Sequence, residues 1–183
     1  MKAGKVELYI GGMCAGKTSM MINKVERYFI AGKKCIIIKH SDDTRYDHLA
    51  EKNGIVTNNY VEHTKIKVVS TNQLSLLDML VSEYDIIGVS ELQFYVDPTH
   101  VDTWANIGKV VICDGLDGDS KRKNFGALHE VIPLCEKVVK LKAVCSCGAS
   151  ASFTKKKTNS DVQKEIGGLD LYAPVCRTCY HLK

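Results

Sequence analysis

Three groups of residues in this 183-residue chain have the types and spacing of a chemical site. The first is Gly11-Gly12-Met13-Cys14-Ala15-Gly16-Lys17-Thr18, which spells G-x-x-x-x-G-K-[ST]. A loop that wraps a phosphate must turn successive backbone N–H groups inward, and glycine supplies the freedom to do so. Lys17 adds a cation for the β- and γ-phosphates, the Thr18 hydroxyl can ligate Mg²⁺, and the helix that follows aims its positive end at the anion. The spelling implies a nucleoside triphosphate. The second group is Ser90-Glu91-Leu92-Gln93-Phe94-Tyr95, directly after the apolar run Ile86-Ile87-Gly88-Val89. A carboxylate at the C-terminal end of a central strand faces the crevice where open α/β sheets bind ligands, so Glu91 is the candidate general base. Asp85, which begins the same run, belongs at the far end of the sheet. The third group is a cysteine quartet, Cys145-Ser146-Cys147 and Cys176-Arg177-Thr178-Cys179. A C-x-C and a C-x-x-C separated by a loop are the format of a structural zinc site, with His181 a possible substitute ligand.

Elements must carry these groups. Val6 to Ile10 is a short apolar strand leading into the phosphate loop, and Met20, Met21, Val25, Tyr28 and Phe29 behind it have helical spacing. Gly32 stands where a C-cap glycine belongs. Cys35 to Ile38, Ile86 to Val89, Val110 to Cys113 and Val138 to Leu141 are continuous apolar runs, suited to strands covered on both faces. Helix candidates Gln73–Val81, Thr99–Ala105 and Gly126–Leu134 separate them. Strands alternating with helices predict an α/β fold with a mainly parallel sheet. The polar stretch 41–63 reads as a mobile loop or excursion. From residue 144 the pattern changes to turns and cysteines, so the reading is a nucleotide-binding core over 1–143 and a small annex over 144–183.

Composition sets the outer bounds. Hydrophobic residues make up 45% and charged residues 25%, with only 3 prolines, which excludes collagen-like, coiled-coil and fully disordered chains. The net charge of +4 suits a phosphate-rich small ligand as well as it suits nucleic acid. No apolar run approaches the roughly 20 residues of a membrane span. Met1-Lys2-Ala3-Gly4-Lys5 lacks a secretory pattern, so a reducing, cytoplasmic setting is expected, in which paired cysteines bind metal and stay free of disulfides.

The ordered set of motifs resembles the type II thymidine kinases, the cytosolic and viral kinases with a RecA-like P-loop core and a zinc-bearing lasso. Further matches are Asp43-Thr44-Arg45-Tyr46, Gly115-Leu116-Asp117-Gly118, Lys123-Asn124-Phe125-Gly126, Val139 to Cys145, Thr154-Lys155, Ile166-Gly167-Gly168 and Tyr172, so the likeness runs over essentially the whole chain. It implies transfer of the ATP γ-phosphate to the 5′-hydroxyl of thymidine. Gly11, Gly12, Met13, Cys14, Ala15, Gly16, Lys17 and Thr18 would hold the donor phosphates with Mg²⁺ at Thr18. Glu91 would be the base, and Arg45, beside Asp43, would steady the transferring group. Phe94, Leu116 and Phe125 would wall the base pocket. Thr154 to Tyr172, through Gly167, would form a lasso over the thymine, pinned by Zn²⁺ on Cys145, Cys147, Cys176 and Cys179. The resemblance also implies a homotetramer, with no membrane or nucleic-acid partner.

Four positions depart from the family. Ser90 stands where an aspartate usually precedes the glutamate, which predicts weaker use of Mg²⁺, since loss of an outer partner costs about 10–100-fold. Ser120 replaces a base-pocket phenylalanine, and Val162-Gln163-Lys164-Glu165 is more polar than the usual lasso. Cys145 and Cys147 sit one residue closer than the usual first pair, which predicts a strained metal site. Two other function classes fit parts of the pattern. One is a catalytically weak nucleotide-binding homologue acting as a regulatory subunit. The other is a zinc-ribbon ATPase acting on nucleic acid, which would use Lys121-Arg122-Lys123 and Lys155-Lys156-Lys157 as a basic surface.

Overall fold

A computed structural model describes residues 4–42, 54–56, 61–63, 66–158, 162–163 and 167–182. Asp43 and Arg45 lie outside the described residues. The chain runs β1 (Lys5–Gly11), α1 (Lys17–Ile30), β2 (Cys35–His40), β3 (Gly54–Val56), β4 (Val61–His63), β5 (Lys67–Thr71), α2 (Asp78–Val81), β6 (Ile86–Val89), α3 (His100–Asn106), β7 (Val110–Leu116), α4 (Leu128–Val131) and β8 (Lys137–Leu141). Six strands form one sheet in the order β5-β2-β6-β7-β1-β8, and every pairing in it is parallel. This is the α/β fold with a parallel sheet that the alternation of apolar runs predicts.

Period-2 alternation splits each central strand between two cores. Val6, Leu8, Ile10, Ile36, Ile38, Ile87, Val89, Val111 and Cys113 face one way, and α2, α3 and α4 cover them with Val81, Val101, Trp104, Leu128 and Val131. Tyr9, Cys35, Ile37, Ile86 and Ile112 face the other way onto Met21, Ile22 and Val25 of α1. The split has a topological cause. The connection from β1 to β2 runs one way along the sheet, while those leaving β5, β6 and β7 run the other way. Right-handed crossovers then put α1 on the opposite face from α2, α3 and α4. The connections leaving neighbouring β1 and β7 run in opposite directions, so the carboxyl ends of this pair mark the switch point at which such sheets generally bind ligands.

Three strands were not foreseen. β5 is an edge strand with alternating, half-exposed residues, Lys67-Val68-Val69-Ser70-Thr71, so it lacks the continuous apolar run of a central strand. Within the stretch read as an excursion, β3 and β4 pair antiparallel. The helix expected over 73–81 is a 3₁₀ turn at Leu74–Leu77 followed by α2, and the one over 126–134 is α4 followed by a 3₁₀ turn at Ile132–Leu134.

After β8 the chain builds the annex: β9 (Ala143–Val144) against β10 (Ser150–Ala151), β11 (Phe153–Lys156) against β12 (Tyr172–Val175), and α5 (Arg177–His181). Its buried core is small, Ala143, Cys145, Ala151, Val175 and Cys176, and it shares packing with Cys14 and Ala15 of the phosphate loop. The annex is therefore seated on the loop.

Candidate active site

The phosphate loop leaves β1 at Gly11 and enters α1 at Lys17. Gly16 precedes the helix in the left-handed region (φ 78°), no side chain caps it, and the first turn carries no acid. An α-helix starts with four N–H groups lacking intrahelical partners. Here no side chain claims them, which leaves them free for an incoming anion. Lys17 is 7% exposed, and its Nζ donates to the Gly12 carbonyl at 2.9 Å, so the cation is folded back into the loop. Cys14 also has positive φ (61°), a conformation that costs a non-glycine residue on the order of 1 kcal/mol or more and clusters at functional sites. From the annex, the buried Thr154 presses on the loop: its Oγ1 accepts from Met13 N at 2.9 Å.

Glu91 follows β6 and is likewise left-handed (φ 56°, ψ 50°). Two contacts hold it there. Its N–H donates to Asp114 Oδ1 at 2.9 Å, and its Oε2 accepts from Gln93 Nε2 at 2.6 Å. Gln93 is 3% exposed and is held in turn, its Oε1 accepting from Leu116 N at 3.0 Å. Gly126 allows this: a Cβ there would lie 2.0 Å from the Gln93 carbonyl oxygen, and its φ is +55°. Around this bridge stand the expected pocket walls. The Phe94 and Phe125 rings meet edge to face at 5.4 Å, and Leu116 is tied in through its N–H. His40 adds a third ring, 5.8 Å from Phe94.

Asp114, in β7, joins the two halves. It is fully buried, and its carboxylate accepts from the Glu91 N–H (2.9 Å) and the Ser90 hydroxyl (3.3 Å), with the Thr18 hydroxyl near enough to favour its ionised form. Burial, and then the Glu91 charge, push its pKa up to about 7, against the pull of the Glu91 N–H, Lys17 and Thr18. β7 lies between β1 and β6, so the loop and Glu91 share one end of the sheet, two strand spacings apart, or roughly 10 Å. Asp114 was not picked out from the sequence, and Gln93 was given no role of its own. Asp114 sits in an apolar run, and only the run's register beside the loop strand reveals it. Gln93 stood inside the Glu91 motif, but no spacing rule gave it a partner.

The described residues of 154–172, the stretch expected to form the lasso, reach the same end. Lys157 N donates to Leu171 O and Tyr172 N to Gly168 O, closing its base, and Gly167 packs against Leu171. Gln163 donates to Asp119 Oδ2 at 2.7 Å and to the Asn124 carbonyl at 3.1 Å, so the polar lasso residue holds the loop that leads into Phe125. Ser120 offers its carbonyl to the Tyr180 hydroxyl at 2.8 Å. The basic clusters are engaged internally. Arg122 stacks 4.4 Å from the Tyr180 ring centroid, and the amines of Lys155, Lys156 and Lys157 reach carbonyls of Cys179, Val162 and Leu169.

The four cysteine sulfurs lie within 4.8 Å of one another, the one such donor cluster among the described residues. Cys147 and Cys176 Sγ are 3.7 Å apart. Four sulfurs at about 2.3 Å from a tetrahedral zinc would be about 3.8 Å apart, so this donor set fits the metal, and the C-x-C spacing does not prevent it. The turn after Cys147 closes through Gly148 N to Cys145 O at 2.8 Å, with Gly148 at φ 85°. Backbone N–H groups, first that of Cys147, draw the Cys145 thiol down to about 6. Cys176 caps α5 and is also lowered, mainly by the Cys179 N–H, whereas the neighbouring thiols, first Cys147, push Cys179 up to about 12.

The comparisons with known proteins agree with this architecture. The sequence model of the thymidine kinase family matches residues 4–180. The chain is 41% identical over 180 residues to the thymidine kinase of Amsacta moorei entomopoxvirus, covering 96% of this chain and 97% of the other. It is 38% identical over 180 residues to that of Choristoneura fumiferana entomopoxvirus, covering 96% of both chains. It is 41% identical over 182 residues to that of Raccoon poxvirus, covering 98% of both. With a phosphate loop and a held carboxylate at one end of a parallel sheet, and a match from the first strand to the last helix, the chain belongs to the thymidine kinase family.

Proposed function

We propose that the protein transfers the γ-phosphate of ATP to the 5′-hydroxyl of thymidine, giving ADP and thymidine monophosphate. The observation that carries this reading is the shared edge. Glu91, after β6, and Lys17, after β1, lie either side of the buried Asp114 carboxylate of β7 at one end of the sheet, about two strand spacings apart. Glu91 takes the proton of the 5′-hydroxyl as that oxygen attacks the γ-phosphorus, and the bond from phosphorus to the β–γ bridging oxygen breaks as ADP leaves. Gln93 orients the Glu91 carboxylate. The uncapped start of α1 and Lys17 hold the phosphates, and Thr18 would hold Mg²⁺, which would supply further positive charge to the transferring phosphate. Phe94, Leu116 and Phe125 wall the nucleoside, and the segment from Thr154 through Gly167 to Tyr172 closes over it and excludes water from the donor. Arg45 and Asp43 keep the phosphate-side roles that the family resemblance gives them.

Residues 1–143 act as the nucleotide-binding core and 144–183 as the lid, with structural Zn²⁺ on Cys145, Cys147, Cys176 and Cys179. No helix among the described residues is long and apolar enough to cross a membrane. A cytoplasmic homotetramer completes the reading, and sedimentation of the purified protein tests the assembly.

The test of function follows nucleoside-dependent ADP formation with Mg-ATP and thymidine, with deoxyuridine and deoxycytidine as comparators. Glu91→Gln is expected to lower kcat about 10²–10⁴-fold with ATP binding retained. Folded protein that binds ATP and turns over none of these nucleosides, or a Glu91→Gln variant at full rate, would refute the reading.

A further inference from the structure

Position 90 carries a hydroxyl where the family places a carboxylate, yet a carboxylate is present. Ser90 Oγ donates to Asp114 Oδ2 at 3.3 Å, so both side chains reach the same point, one from the end of β6 and the other from β7. Asp114 is on β7, hydrogen-bonded along its length to the strand that leads into the phosphate loop, and the hydroxyl of Thr18, the loop residue that can ligate a divalent cation, lies close enough to favour its ionised form. The remaining bond to Asp114, from Glu91 N at 2.9 Å, would be served equally well by a neutral asparagine oxygen. A fully buried carboxylate is costly unless a cation offsets it. The neighbouring cation, Lys17, gives its Nζ to the Gly12 carbonyl. Lys17 thus offsets the buried carboxyl only in part, so a carboxyl at 114 exceeds what the fold's hydrogen bonds require, and it lies beside the Thr18 hydroxyl.

We infer that Asp114 is the magnesium-positioning carboxylate of this chain, acting through Thr18 from β7 in place of the aspartate absent from position 90. The inference rests on the kinase reading above. It revises the expectation of weak Mg²⁺ use, because the carboxylate is supplied from the neighbouring strand. Asp114 touches neither nucleoside nor phosphate in this role; it is a positioning residue.

The experiment measures binding of a fluorescent ATP analogue in Mg²⁺ and in EDTA, and Mn²⁺ binding to the ADP complex by electron paramagnetic resonance. Asp114→Asn keeps an acceptor for Glu91 N. It is expected to lose about 10–100-fold of the metal-dependent gain in nucleotide affinity and of Mn²⁺ affinity, with EDTA-state affinity undiminished. The double variant Ser90→Asp/Asp114→Asn returns the carboxylate to β6 and is expected to recover most of that loss. A purely structural role would not distinguish the EDTA state from the Mg²⁺ state, nor be rescued from another strand. Asp114→Asn with wild-type metal dependence overturns the inference. So does a well-folded double variant, judged by its melting temperature, that recovers nothing. Wild-type protein that binds metal–nucleotide but phosphorylates no nucleoside would instead overturn the kinase reading and leave this comparison readable.

Discussion

The bridge through Gln93 permits a quantitative prediction. Replacing Gln93 by alanine removes a 2.6 Å bond to the Glu91 carboxylate and frees Leu116 N from its 3.0 Å partner. A hydrogen bond to a charged group is worth about 1.5–3 kcal/mol. If that bond selects the orientation in which Glu91 faces the nucleoside, its loss depletes the productive population by that free energy. At 1.36 kcal/mol per decade, kcat falls about 10- to 150-fold. The nucleoside KM moves less, because the base itself acts on the proton in flight. Stability falls by a further 1–3 kcal/mol or so from the orphaned buried N–H. The assay is steady-state kinetics of Gln93→Ala in the wild-type and Glu91→Gln backgrounds, with melting temperatures alongside. If Gln93 works by holding Glu91, its removal does little once Glu91 is gone. Full multiplication of the two losses, or wild-type kcat in folded Gln93→Ala, would refute the reasoning.

Thr154→Val strips the acceptor from Met13 N and is expected to cost about 1–3 kcal/mol of stability. It should raise the KM for ATP well before that for thymidine, and a change confined to the thymidine KM would return Thr154 to the base pocket. Cys176→Ser should lose about one equivalent of zinc by metal analysis, with a lower melting temperature and a lid more open to protease; unchanged zinc content would remove the anchor. Acid stability should depend on Glu7. Burial opposes its ionisation, but the bond from Lys5 at 2.5 Å and the charges of Lys24, Lys5 and Lys137 outweigh that and hold its pKa below the usual 4.5. The stabilisation is thus complete above 4.5 and disappears as pH falls through the lower folded value. Glu7→Gln should be less stable than wild type at neutral pH by roughly 1–3 kcal/mol and should converge with it in acid, as unfolding curves at several pH values would show. A constant difference across pH would contradict the pairing.

Much of this protein is written locally. The phosphate loop is legible because its geometry depends on residues within eight positions of each other, and the four central strands because a strand buried on both faces must be apolar throughout. The cysteine pairs are legible because two thiols one or two residues apart on a single turn can reach the same metal. The edge strand β5 escaped because one half-exposed strand resembles any alternating polar stretch. Assignments that depend on what lies across the fold could be settled only there. Thr154 has a motif that suits a lid, yet its hydroxyl is taken by the phosphate loop 141 residues away in sequence. Asp114 looks like a stray acid in a buried strand until the order β6-β7-β1 sets it between Ser90 and Thr18. Local sequence dictates backbone conformation and burial period, both short-range steric and solvation effects. Which charges meet depends on parallel strand order and register, and those are settled when distant segments pack.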